Sequence, residues 1–330
     1  MVVRRVLLID SMHFCKAELT REYRTPRRHV VAKLLRTLMF FILLQPAAGT
    51  GNSQTLPTGT LQASDATPSA TILGRSPHAW AETAIAHELR IIDDDGSQPL
   101  RFRIHKVDAK SDTVRAEIET KSGTAARLVQ RNGQPLTAVE DTAEQDRLRE
   151  IMSHPEEFVR HHKRDAGTKQ DTMALVKQMP SAMLFTAPEG QPQWPGFAGQ
   201  QVVLDFKPNP AYRPPSMAAD MLTGLEGRVW IDARSGRMVR VEARVLKPVS
   251  FGWGILGKIY PGGTLSLEQA NPAGERWVYS RLDMHLNLRV VVKNLAMNDR
   301  MAASDFEALP GPVTVQEAVQ LLLAMHVPTR

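Results

Sequence analysis

His154, His161 and His162 are the residues of this chain that could most readily hold a metal, and their spacing argues against it. His154 and His161 are seven apart, with Pro155 breaking any helix between them. His161 and His162 are neighbours, so on a helix they point about 100° apart. No His-Glu-x-x-His pattern occurs here, and Arg160, Lys163 and Arg164 crowd the pair with cations. These histidines read as solvated, with no metal. Asp93-Asp94-Asp95-Gly96 opens like a calcium loop but lacks the alternate-residue spacing and the closing Glu, so it reads as a turn. Gly252, Gly254 and Gly257 fit G-x-G-x-x-G, which holds a dinucleotide only between a buried parallel strand and a helix. Here the preceding strand is half wet, and Pro261-Gly262-Gly263 leaves no room for a helix. Glu156 and Glu157 are adjacent and diverge on a helix, and there is no Gly-x-Ser-x-Gly elbow. The expectation is a protein that is not an enzyme, with no catalytic residues and no cofactor.

What remains is apolar chemistry. Phe251, Trp253, Ile255, Leu256 and Tyr260 sit on a glycine-rich backbone between Pro248 and Gly263. Such a segment can be a strand bent by glycines, or the mouth of an apolar cavity, and the two readings are compatible. With Phe206 and Trp230 these residues form the candidate lining of a ligand site, although each is equally well explained as core. For Trp230, in Val229-Trp230-Ile231, the period alone does not choose a face.

The elements that must position them are mostly strands. Val239, Val241, Ala243 and Val245 alternate with Met238, Arg240, Glu242 and Arg244, giving one apolar and one wet face. Asp232 and Gly236 bracket the turn that joins this strand to Leu225–Asp232. Leu100, Phe102 and Ile104, then Val114, Ala116 and Ile118, then 125–130 up to Asn132-Gly133, predict a meander. Strands also read at 182–186 and 202–206, and Leu282 to Val292 alternates over eleven residues. Helices are expected at 78–92, after the capping box Thr137-x-x-Glu140, from Pro155, up to Pro180, at 216–222 and after Thr314-x-x-Glu317. Together these predict an α+β fold: a strongly curved antiparallel half-barrel of about 9–11 strands, with a helical insert at 138–179 and a C-terminal helix packed on it.

Charge and hydropathy divide the chain further. It has 330 residues, 42% hydrophobic, with a formal net charge of +6. Of the 41 Lys and Arg, nine lie in residues 1–49; of the 35 Asp and Glu, three do, so the remainder holds 32 of each. A neutral body has no footprint for a phosphate backbone, which excludes nucleic acid as partner. Residues 33–49 have the basic, apolar and small-residue parts of a signal peptide, and the apolar run of seven falls far short of a membrane span. A translation start placed too far upstream would account for 1–29. Cys15 precedes the apolar run, so the exported part has neither disulfide nor lipid-anchoring cysteine. The expected plan is a leader to 49, a flexible linker at 50–76, and one domain at 77–327 in the periplasm or secreted, with no transmembrane span.

Phe206-x-Pro-Asn-Pro-x-Tyr212, Gly227-x-x-Trp-Ile-Asp232, Phe251-Gly-x-Gly-x-Leu-Gly257 and Glu268-Gln269…Trp277 together resemble a family of secreted bacterial proteins of uncharacterised function, over about residues 78–325. Strand order and insert are also similar to the wider superfamily of periplasmic lipoprotein carriers and outer-membrane lipoprotein receptors. That resemblance implies a half-barrel closed by helices, with an apolar concave face that shelters acyl chains of a lipid or lipoprotein. It supplies no catalytic residues. The alternative is an envelope module without a ligand, using the charged 138–179 insert to dock a protein partner.

Overall fold

The computed structural model describes residues 71–330 except 94–97, 164–165, 252–256, 273, 275 and 291–292. The leader, most of the linker, the turn after Asp93 and the centre of the glycine-rich segment therefore lie outside the described residues. Helix α1 (Pro77–Asp93) comes first, then the meander β1 (Leu100–Val107), β2 (Asp112–Thr120), β3 (Gly123–Arg131) and β4 (Gln134–Pro135). The insert supplies α2 (Ala138–Ser153), α3 (Pro155–Lys163) and α4 (Ala166–Ala182). Next come β5 (Met183–Thr186), β6 (Gln201–Pro208), α5 (Met217–Asp220) and a 3-10 turn (Met221–Gly224). Strands β7 (Leu225–Asp232), β8 (Met238–Val245), β9 (Val249–Phe251), β10 (Gly257–Ile259), β11 (Thr264–Ala270), β12 (Val278–Val290) and β13 (Lys293–Ala308) precede α6 (Val315–Ala324).

All thirteen strands form one antiparallel sheet, in the order β4-β3-β2-β1-β13-β12-β11-β8-β7-β6-β5, with β9 and β10 attached to β12. Its ends do not meet. The fold is α+β as the period predicts, with more strands than the alternation alone shows. β11 and β13 are the additions that matter, since they join the meander to the later hairpin. β12, at 13 residues, is long enough to pair with β13 along one edge and with both β11 and β10 along the other. Bulges at Arg101/Arg103, Val114/Arg115, Trp230/Ile231 and Glu268/Gln269 bend the strands locally.

The β7–β8 turn is built by Asp232. Its carboxylate accepts from the Arg234 and Ser235 amides and the Ser235 hydroxyl, and its carbonyl accepts from Gly236 N–H. Gly236 has φ 70°, and a Cβ there would lie 2.8 Å from the Thr83 methyl on α1, so glycine serves both the turn and the docking of the helix.

Two helical layers cover the sheet at different places. On the face that carries Leu204, Val229, Val241 and Leu282, α1 packs Trp80, Ala81 and Ala84 against Val202, Leu204 and Ile231. On the opposite face, at the β2–β3 end, α2 and α6 bury Leu148, Val315, Ala318, Val319 and Leu322 against Ala116, Ile118 and Ala125. Both expected capping boxes form, Thr137 with Glu140 and Thr314 with Glu317. One expectation is corrected: α4 continues through Pro180 to Ala182. A proline this near the helix end removes one N–H without ending the last turn.

The titratable groups predict an acid limit to stability. Asp141 is pushed up by burial, but hydrogen bonds from Arg127 and Gln145 and the Arg127 charge outweigh this and hold it below its ordinary 3.8. His87 is lowered from 6.5, first by partial burial and then by Arg237 and Arg90, against a backbone contact at Ser235 that raises it. For both groups the unfolded chain binds more protons, so their stabilisation is complete above the ordinary value and lost as pH falls through the folded one. Denaturant unfolding followed against pH should show a first decline below 6.5, absent in His87→Gln, and a steeper one below 3.8. A flat profile between those values in the unmodified protein would contradict the His87 assignment.

Candidate functional site

The apolar face of the central strands is built by register. Val229, Val241, Leu267, Leu282 and Met301 are successive cross-strand partners on β7, β8, β11, β12 and β13. One row along, Phe206, Gly227, Ala243, Leu265 and Met284 do the same across β6 to β12. Gly227 is required because a Cβ would sit 1.9 Å from the Glu242 carbonyl and 2.7 Å from the Phe206 ring. The ring fills the space that the glycine leaves.

This face is not uniformly sealed. Leu204, Leu282, Met301 and Phe206 are buried, whereas Leu225, Val229, Val241, Ala243, Leu265, Leu267, Met284 and Leu295 are half-buried. The half-buried residues lie between three buried clusters and touch all of them. Ile91 of α1 reaches this strip from one side, and Leu175 and Met179 of α4 with Leu222 reach it from another. The result is an apolar band across β7, β8, β11 and β12, under a helical layer that covers it only in part. At one end it meets a buried polar knot: the Glu88 carboxylate accepts from Tyr279 Oη at 2.5 Å and from Gln269 Nε2 at 2.6 Å.

The opposite face of the same strands is charged. Its rows read Asp205–Arg228–Glu242–Ser266–Asp283 and Glu226–Arg244–Thr264–His285, with Arg240 opposite Glu268 and Glu268 opposite Arg281. Arg228 grips Asp205 through Nε at 2.6 Å and Nη2 at 3.0 Å. Arg244 pairs with Glu226, and Arg240 with both Glu242 and Glu268. Opposite charges thus face each other across the strands, which favours this register. The more exposed of these, Arg228–Asp205 and Arg244–Glu226, add only about 0–1 kcal/mol each. An open depression of about 830 Å³ lies over this face.

Beside it, a strap of residues 187–200 is fastened to β6 by glutamines. Gln193 exchanges two hydrogen bonds with the backbone of Gln201, and Gln191 does the same with Val203. These side-chain amides occupy the edge of β6 where a neighbouring strand would pair. Trp194 and Phe197 of the strap cover Val203, Trp230 and Val239, and the Arg240 guanidinium lies 5.2 Å from the Trp194 ring centre.

The residues singled out from sequence are distributed over both faces. Phe206 is on the apolar face, packed with Ala182, Met183 and Leu222 beside the band. Trp230 is on the charged face, 7% exposed under the strap, with Nε1 donating to the Pro192 carbonyl at 2.9 Å. Tyr260 follows Ile259, which faces the apolar side through its pairing with Leu288, so Tyr260 turns away from the band and meets Lys258 at 5.6 Å. Phe251 ends β9 opposite Gly257. Trp253, Ile255 and Leu256 lie outside the described residues. Phe206 and Trp230 both border the depression, from side chains that leave opposite faces of the sheet, and Tyr260 does not border it. The band residues of β11, Leu265 and Leu267, were missed; their signal was the alternation Leu-Ser-Leu-Glu, short and next to glycines.

Among the described residues no group of His, Cys, Asp and Glu is placed to hold a metal, and His154 is exposed beside Glu150 and Glu156. Among them, too, no helix is long and apolar enough to cross a membrane.

No known family profile matches the chain, and no curated protein matches it. Among solved structures it is similar to a "putative outer membrane lipoprotein-sorting protein domain" from Vibrio parahaemolyticus. The identity is 12%, the match covers 74% of this chain and 99% of that one, and the TM-score is 0.30.

Proposed function

We propose that this is a non-enzymatic, exported binding protein that shelters an apolar ligand, the acyl chain of a lipid or lipoprotein, against the apolar face of its sheet. The observation that carries the proposal is the half-buried band at Val229, Val241, Ala243, Leu265, Leu267 and Met284. A sheet of this size normally seals such a face with helices, as α1 does over Val202 and Leu204. A contiguous apolar strip left partly open under a helical layer marks a place where another apolar surface fits. An acyl chain suits it because each buried methylene contributes about 0.8 kcal/mol and no polar partner is needed.

The test is extraction of lipid from protein purified from its native host, with displacement of a fluorescent fatty acid from the delipidated protein. The expected result is a co-purifying acyl species and saturable probe binding. Leu267→Asp, which puts a charge at the centre of the band, should weaken the probe at least about tenfold while the chain stays folded. No acyl species together with no probe binding would overturn the proposal.

A further inference from the structure

The depression lies over the charged face, opposite the side chains of the apolar band although Gly227, Ala243 and Leu265 also border it, and its chemistry points to a different ligand. Its lining holds four cations, Lys207, Arg228, Arg240 and Arg244, and four anions, Asp205, Glu226, Glu242 and Asp283. The lining is therefore neutral as a whole, so it offers no net attraction to an anion such as a phosphate or to a polycation. Each of the three guanidiniums is already held by a carboxylate. A charged ligand group at these guanidiniums would have to displace one partner of a pair and leave the other unpaired; Lys207, at the β6 end, is the one lining cation with no ion pair among the described residues. Neutral hydroxyls face no such penalty, because a guanidinium has five N–H donors and a carboxylate about four lone-pair sites, more than one cross-strand pair consumes.

The centre of the depression adds to this. Between Glu242 and Asp283 the row carries Ser266, and between Arg244 and His285 the neighbouring row carries Thr264. Neither hydroxyl has a hydrogen-bond partner among the described residues. Spare donors, spare acceptors and two hydroxyls are thus set side by side on the sheet, with the Trp230 ring also in the lining. The space of about 830 Å³ is within the range of roughly 300–1,000 Å³ typical of small-ligand sites. It is also open, so a chain can run through it.

We infer that this groove binds a neutral, densely hydroxylated ligand: an uncharged oligosaccharide lying across β7, β8, β11 and β12 on the face opposite the apolar band. Carboxylates and guanidiniums hold vicinal hydroxyls in pairs, and Trp230, which lines the depression from the charged face, offers a small apolar edge to a sugar. Binding is set by hydrogen bonds to already neutralised pairs, so it is nearly independent of salt.

The experiment titrates the whole protein with maltohexaose, cellohexaose and the hexamer of N-acetylglucosamine. The readouts are tryptophan emission and saturation-transfer NMR, at low and at high salt. At least one of the three should bind with the same affinity in both salts. The double variant Thr264→Val with Ser266→Ala breaks no side-chain hydrogen bond among the described residues and should weaken that binding at least about tenfold, with an unchanged unfolding midpoint. Fluorescent fatty-acid binding should be unaffected by the variant, which separates this inference from the apolar-ligand proposal. No response to any of the three at millimolar concentration would overturn it. So would binding unchanged by the double variant, or a salt-sensitive preference for an oligoglutamate or oligolysine peptide over all three sugars.

Discussion

Arg127→Ala is expected to destabilise the protein by about 3–5 kcal/mol, enough to unfold a domain of ordinary stability. Arg127 is 2% exposed on β3, yet it joins three elements. Its Nη1 donates to the Leu322 and Met325 carbonyls at 2.8 and 2.9 Å, at the C-terminal end of α6. Its Nη2 donates to Asp141 Oδ1 on α2 at 2.8 Å. The last carbonyls of a helix lack intrahelical partners, and a cation there also complements the helix dipole. Removing the guanidinium strands the Met325 carbonyl, leaves the Leu322 carbonyl only the Met325 N–H, and leaves a buried carboxylate that Gln145 can satisfy only in part. Urea unfolding should show a lower midpoint with an unchanged slope. Arg127→Met with Asp141→Leu should recover much of the loss, since replacing a whole buried pair by apolar groups is far cheaper than breaking it. A loss below about 1 kcal/mol in Arg127→Ala would show that water already reaches these groups.

Arg127 also shows where sequence reading stops. In Gly-Thr-Ala-Ala-Arg-Leu-Val it looks like a wet position on a half-buried strand. Its burial depends on α6, nearly 200 residues later, whose own amphipathic pattern and capping box were legible. Periods of two and 3.6 identified α1, β1 to β3, β8, β12 and α6 because each has one face in the core, and the turn between Asp232 and Gly236 added β7. β13 was not legible for a physical reason. It is rich in Ala, Met, Asn and Asp, with no β-branched residue, and its own preference for a strand is weak. It forms because β12 and β1 pair with it on both sides. The band suffers from the same problem: its residues belong to strands far apart in sequence, and only their register shows that they are neighbours. Aromatic residues attract attention as ligand contacts, but Trp230 and Tyr260 turn away from the band, and the band itself is Val, Leu, Ala and Met.

Trp230→Ala separates stability from binding. Trp230 packs on Val203 and Val239 under Trp194, Phe197 and Trp277, and its Nε1 holds the strap through the Pro192 carbonyl. The expected loss is about 3–5 kcal/mol, from the cavity left by the indole and from the strap's lost anchor. Near-ultraviolet circular dichroism should change, because three neighbouring aromatic rings lose their fixed packing. Fatty-acid affinity measured on the fraction that remains folded should not change, because Trp230 is on the opposite side of the sheet from Val229 and Val241. Phe206→Ala is the counterpart. It removes a similar amount of buried surface, but on the apolar face beside Gly227 and Ala243, so it should alter probe binding as well as stability. If instead Trp230→Ala weakens the probe about tenfold or more and Phe206→Ala leaves it unchanged, the apolar ligand lies under the strap and the assignment of the two faces must be exchanged.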